Sequence, residues 1–166
     1  MSILLKRLKD FSATKASVYV LYDDIKKTHP FANFLNRYYN TPYEGKLINL
    51  VGRLKSMGTK TGVLDEFLKL NESETKNIAE NMCAIFDSPD KEMRIFCIKI
   101  SEKIIIVGDG GPKPKNIRKW QDCSHLSRCA RDMMIISELI KTYINNGTLS
   151  FSNNGLLFEG NTQIKS

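Results

Sequence analysis

Apolar positions recur along the chain in two rhythms, one of period two and one near 3.6, and their succession sets out the elements. Ser17 to Tyr22 (SVYVLY), β-branched and aromatic, predicts a strand closed by Asp23 and Asp24. After Pro30, the residues Phe31, Phe34, Leu35, Tyr38 and Tyr39 follow helical spacing. A second helix carries Leu47, Leu50, Val51, Leu54 and Met57 on one face, with Glu44 in its first turn, Lys55 near its end and Gly58 as a stop.

Thr59 to Gly62 breaks that pattern, and an acidic, polar stretch (DEFLKLNESETKN) leads to the apolar run Met82 to Phe86. This run is read as a strand, followed by a turn at Asp87, Ser88 and Pro89, a strand from Met93 to Ile100, and a third from Lys103 to Val107. A third helix begins near Asp122 or Ser124 and buries Leu126, Cys129, Ala130, Met133, Ile136, Ile140, Tyr143 and Ile144, until Asn145 to Gly147 end it. Thr148 to Phe151 and Leu156 to Glu159 then flank SNNG, a hairpin signal because Asn-Gly accepts positive φ. The expected fold is one α+β domain over residues 1–166, a small antiparallel sheet packed against an N-terminal helix pair and a C-terminal helix.

Charge changes the picture more than composition does. With 166 residues and 42% hydrophobic content the chain can bury a core unaided. Its net charge of +7 is distributed as +7 over residues 1 to 60, −5 over 61 to 90, +5 over 91 to 120 and zero beyond. Two basic blocks favour an anionic partner, nucleic acid or acidic protein, over a neutral metabolite. The second block contains Lys113, Lys115, Arg118 and Lys119 followed by Trp120, the only tryptophan, where a sheet strand ends. Cations beside one flat ring suit a phosphate backbone with a base stacked on it, although a charge run is commonly a solvated surface and a lone Trp commonly packing.

Other chemistry is less well supported. Cys83, Cys97, Cys123 and Cys129 form no CxxC pair and are read as having no companion His at zinc spacing, so neither metal nor disulfides are expected. Gly108 to Gly111 (GDGG) lacks the third glycine of a dinucleotide fingerprint, and Pro112 and Pro114 block a helix directly behind it. Those glycines are read as letting the chain leave the sheet. The Phe31 to Tyr39 stripe is core rather than a stacking platform, and Asp122, Cys123 and His125 make no triad on spacing alone. The N-terminal apolar run is too short for a signal peptide and no segment reaches membrane-span length, so a cytoplasmic protein with no membrane partner and no cofactor is expected.

The succession of paired helices, acidic connector, strand, Arg-bearing strand, aliphatic strand and basic turn resembles the RelE, HigB and ParE superfamily of bacterial toxins. Phe67 to Leu70 (FLKL), Met82 to Phe86 (MCAIF), Met93 to Ile98 (MRIFCI), Lys103 to Val107 (KIIIV) and Lys113 to Lys119 carry the likeness, about a third of the chain. The chain extends past that pattern at both ends, with an N-terminal extension and a C-terminal hairpin. The resemblance implies a type II toxin that cuts mRNA without a metal, on the ribosome, and is held inactive by a helix-turn-helix antitoxin. It places Arg94 on the scissile phosphate and Lys113, Lys115 and Arg118 as further cations, with Lys119 and Trp120 completing the RNA contact. Such cleavage needs a base for the ribose 2′-OH, and His125 is the nearby side chain of a type that titrates near neutrality. Arg94, Lys113 and His125 are therefore the candidate catalytic residues. Met82 to Phe86 carries no lysine, which favours the alternative of a non-enzymatic binder, ParE-like against a topoisomerase or binding a partner protein.

Overall fold

A computed structural model describes residues 2–70, 82–113, 116 and 122–165. The strands are β1 (Ser2–Arg7), β2 (Ser17–Tyr22), β3 (Lys69–Leu70), β4 (Met82–Phe86), β5 (Met93–Ser101), β6 (Ile104–Pro112), β7 (Leu149–Phe151), β8 (Phe158–Gly160) and β9 (Gln163–Lys165). The α-helices are α1 (Pro30–Tyr38), α2 (Glu44–Ser56) and α3 (Ser124–Asn145). Seven strands form one sheet in the order β3-β4-β5-β6-β2-β1-β9, and β7 and β8 pair separately.

The α+β class holds, and β4, β5 and β6 form the expected antiparallel meander. The sheet is neither small nor wholly antiparallel, because β2 lies beside β6 in parallel register, Ser17 opposite Ile104 and Val20 opposite Val107. Two further strands, β1 and β9, extend it on the far side of β2. β1 escaped the sequence reading because SILLKR has no strict alternation, and β9 because three residues carry too little pattern.

Both faces of the sheet are covered, which is why β2, β4 and β5 read as continuous apolar runs. Val18, Val20, Ile85, Ile95, Cys97, Ile105 and Val107 pack with Phe31 and Phe34 of α1 and Leu47, Leu50 and Leu54 of α2. Tyr19, Leu21, Ala84, Phe96, Ile98, Ile104 and Ile106 point the other way, onto Leu126, Ala130, Met133, Ile136 and Ile140 of α3. The β7–β8 hairpin closes this second face, its Phe158 amide donating to Tyr19 Oη at 2.9 Å.

Several boundaries shift for local reasons. α2 does not stop at Gly58 but continues as a π-turn over Met57–Thr61 and ends at Gly62, whose φ of +77° suits glycine. Tyr39 lies past the end of α1 and is exposed, so it leaves the packed stripe. The hairpin loop runs from Ser152 to Leu157, wider than an Asn-Gly turn, with Phe151 opposite Phe158. The glycines of GDGG stay inside β6 instead of carrying the chain out of the sheet.

That last difference is a matter of close approach. A Cβ on Gly108 would lie 2.6 Å from Met133 Sδ of α3, one on Gly110 would overlap the Arg94 carbonyl, and one on Gly111 would lie 2.6 Å from Tyr38 Oη. The ladder between β5 and β6 shifts register between Ile95 and Cys97, next to Gly110, which pairs with Ile95 and lies against the Arg94 carbonyl.

Candidate functional site

β2 and β6 run parallel, yet the helix following β2 packs on one face and the helix following β6 on the other. In open sheets of this kind a crevice forms beyond the carboxyl ends of such strands, at the point where the connections diverge. Here that crevice encloses about 260 Å³ and is lined by Asn33 and Arg37 of α1, Asp109 of β6, and His125, Arg128 and Cys129 of α3.

Arg37, in the last turn of α1, donates from Nη1 to Asp109 Oδ1 at 2.9 Å and from Nη2 to Oδ2 at 3.2 Å. Those hydrogen bonds hold the Arg37 pKa above its ordinary value. The neighbouring Tyr38 phenol is also raised, first by burial, and sits against Gly111. His125, one residue into α3, places Nε2 at 2.9 Å from the Gly110 carbonyl and 3.3 Å from Arg37 Nη1. Cys129, one turn further along α3, brings Sγ to 3.6 Å from the same nitrogen. Burial, then the Asp109 charge, push the Cys129 thiol up to about 12. It is not a poised nucleophile, because reactive cysteines have depressed pKa values.

Of the candidates read from the sequence, His125 lies in this crevice. Arg94 is buried in β5, opposite Phe86 of β4 and Gly111 of β6, with its guanidinium carbon 4.6 Å from the centre of the Phe86 ring. It borders a separate hollow shared with Arg53, Lys69 and Lys91. Lys113 follows β6 directly, its amide donating to the Glu92 carbonyl at 3.2 Å, and borders a third hollow with Tyr43 and Lys91. The three side chains thus stand at one end of the sheet, around the last residues of β6, but line different recesses. Lys115, Arg118, Lys119 and Trp120 lie outside the described residues.

Sequence reasoning missed Arg37, Asp109 and Cys129. Asp109 was read only as a member of GDGG, and Arg37 was not singled out at all. The cysteine reading needs correction: His125 and Cys129 stand four residues apart on one helix, a ligand spacing that was legible in the sequence. Asp109, His125 and Cys129 offer a carboxylate oxygen, Nε2 or Nδ1, and Sγ all within 4.8 Å of one another. No helix among the described residues is long and apolar enough to cross a membrane. Comparison of the chain with protein-family models, with characterised proteins and with solved structures finds no match.

Proposed function

We propose that the protein acts on RNA as the toxin of a toxin–antitoxin pair, cutting the phosphodiester by acid–base chemistry at the end of β6. The observation that carries this reading is the position of His125. It faces an open crevice between Arg37 and Arg128, at the end of the strand whose tail leads to Lys113 and whose ladder partner is Arg94. The His125 imidazole takes the proton from a ribose 2′-OH, and the 2′-oxygen bonds to phosphorus as the P–O5′ bond breaks. The leaving 5′-oxygen takes a proton from water in the open crevice, and the nearby cations stabilise the charge developing on the phosphate. The acidic span of residues 61 to 90 and the basic blocks on either side suit an antitoxin whose acidic or amphipathic segment covers the cations.

A second reading keeps the RNA or protein partner and drops the chemistry. Its support is that Asp109 engages Arg37 at both oxygens and that the Gly110 carbonyl stands 2.9 Å from His125 Nε2. The two readings separate when transcript 5′ ends are mapped after induction of wild type, His125→Ala and Arg94→Ala. New cuts lost in both variants, with rates down about a hundredfold to a thousandfold and RNA binding nearly unchanged, support the nuclease. Growth arrest without cuts leaves the binder, and normal growth with soluble wild-type protein removes the toxin reading.

A further inference from the structure

We infer that Asp109, His125 and Cys129 form a binding site for a divalent metal ion of the zinc class, and that Arg37 occupies the cation's place when the metal is absent. The site rests on ligand geometry rather than on the nuclease reading. A metal on His125 Nε2 would take the lone pair which that reading uses as the base, so the metal-loaded form would be the one that does not cut RNA.

His125 and Cys129 project from one face of α3, four residues apart, and Nε2 and Sγ are 3.6 Å from each other. Two ligands on one tetrahedral zinc, with a metal–nitrogen bond of about 2.05 Å and a metal–sulfur bond of about 2.3 Å, stand about 3.6 Å apart. An Asp109 carboxylate oxygen lies within 4.8 Å of both, from the strand facing the helix. One sulfur, one imidazole nitrogen and one carboxylate oxygen favour zinc over magnesium or calcium, which take oxygen alone. The fourth position opens to the crevice or to the Gly110 carbonyl.

The metal-free hydrogen bonding is itself mismatched. Nε2 of His125 stands 2.9 Å from an acceptor, the Gly110 carbonyl, and 3.3 Å from a donor, Arg37 Nη1. One ring nitrogen bears either a proton or a lone pair and cannot serve both. A metal ion in place of the guanidinium turns every group around it into an electron-pair donor. Arg37 is 38% exposed and can swing into solvent. On binding, the Cys129 thiol loses its proton to water, the His125 proton sits on Nδ1, and Asp109 exchanges Arg37 for the ion, so one proton leaves per metal bound.

The test titrates the chelator-stripped full-length protein with Co2+ and then displaces the cobalt with Zn2+. One saturable equivalent with a thiolate-to-cobalt charge-transfer band is expected. Cys129→Ala should abolish the band, and His125→Ala and Asp109→Asn should each weaken affinity by roughly tenfold or more. Arg37→Gln should bind metal more tightly than wild type, a gain that misfolding cannot produce. Cys83 and Cys97, a buried pair with sulfurs 3.1 Å apart, are the alternative source of a thiolate band, and Cys83→Ala should leave the band intact. No saturable binding, a band that survives Cys129→Ala, or unchanged affinity in Arg37→Gln would each overturn the assignment.

Discussion

Arg37 and Asp109, 72 positions apart in sequence, meet through two parallel hydrogen bonds that fasten the last turn of α1 to the end of β6. The geometry is the planar fork on a carboxylate that only arginine provides. Both groups are partly shielded, at 38% and 19% exposure, so the pair should outweigh an ordinary surface ion pair. Arg37→Ala and Asp109→Asn should each cost about 1 to 2 kcal/mol in urea denaturation. The double mutant should recover at least ~0.5 kcal/mol of the summed loss. Strict additivity would mean that the two groups touch without coupling.

The glycines of GDGG should differ in their tolerance of a methyl group. At Gly108 the new Cβ meets the end of Met133, a flexible side chain, and Gly108→Ala should cost about 1 to 3 kcal/mol. At Gly110 it meets the Arg94 carbonyl, which belongs to the sheet backbone and cannot move alone. Gly110→Ala should therefore be the more damaging of the two in thermal unfolding, and the reverse order would contradict the bulged register.

The Cys129 thiol predicts an alkaline loss of stability. An unfolded thiol ionises near 9.0, whereas the folded one keeps its proton to about 12 through burial and the Asp109 charge. The folded state thus holds more protons above pH 9, and stability should fall as pH rises through this window, by up to ~1.4 kcal/mol per pH unit from this group. Cys129→Ala should flatten that slope. Alkylation followed by mass spectrometry should also find Cys129 protected at pH 8 in native protein and modified after unfolding.

His29 predicts the opposite dependence on the acid side. Its Nδ1 accepts the Ala32 amide at 3.1 Å and caps α1, which requires the neutral ring. Burial, then the Lys6 charge, lower its pKa below 6.5. The unfolded chain binds that proton first, so stability should fall as pH drops below the ordinary histidine value. His29→Asn keeps a cap that does not titrate, and its unfolding midpoint should vary less between pH 7 and 5. An identical pH profile would remove His29 from the acid response.

The parts of this fold that repeat a local rhythm were legible: the apolar stripe of α3, the β4 to β6 meander, the two N-terminal helices and the C-terminal hairpin. What the rhythm could not convey was the pairing of β2 with β6, since Ser17 and Ile104 meet through tertiary structure with no local signal. That pairing creates the crevice, so Arg37 and Asp109 stayed invisible as partners while His125 could be singled out by residue type. GDGG was misjudged because the need for glycine came from what packs against it, namely Met133, the Arg94 carbonyl and Tyr38, and not from its own backbone.

The position of β9 bears on how the chain acquires its shape during synthesis. Residues 163–165 pair with β1, which is made well before them, and β2 must wait for Ile104 to Val107 before its other edge is filled. Until then the early strands present open backbone edges to their surroundings, the condition that invites association between nascent chains. Lys6 and Arg7 on β1 carry charge along that edge. The crevice needs α1, β6 and α3 together, so it can first close only after residues about a hundred positions apart have both been made, and long-range pairing rather than local propensity sets that moment.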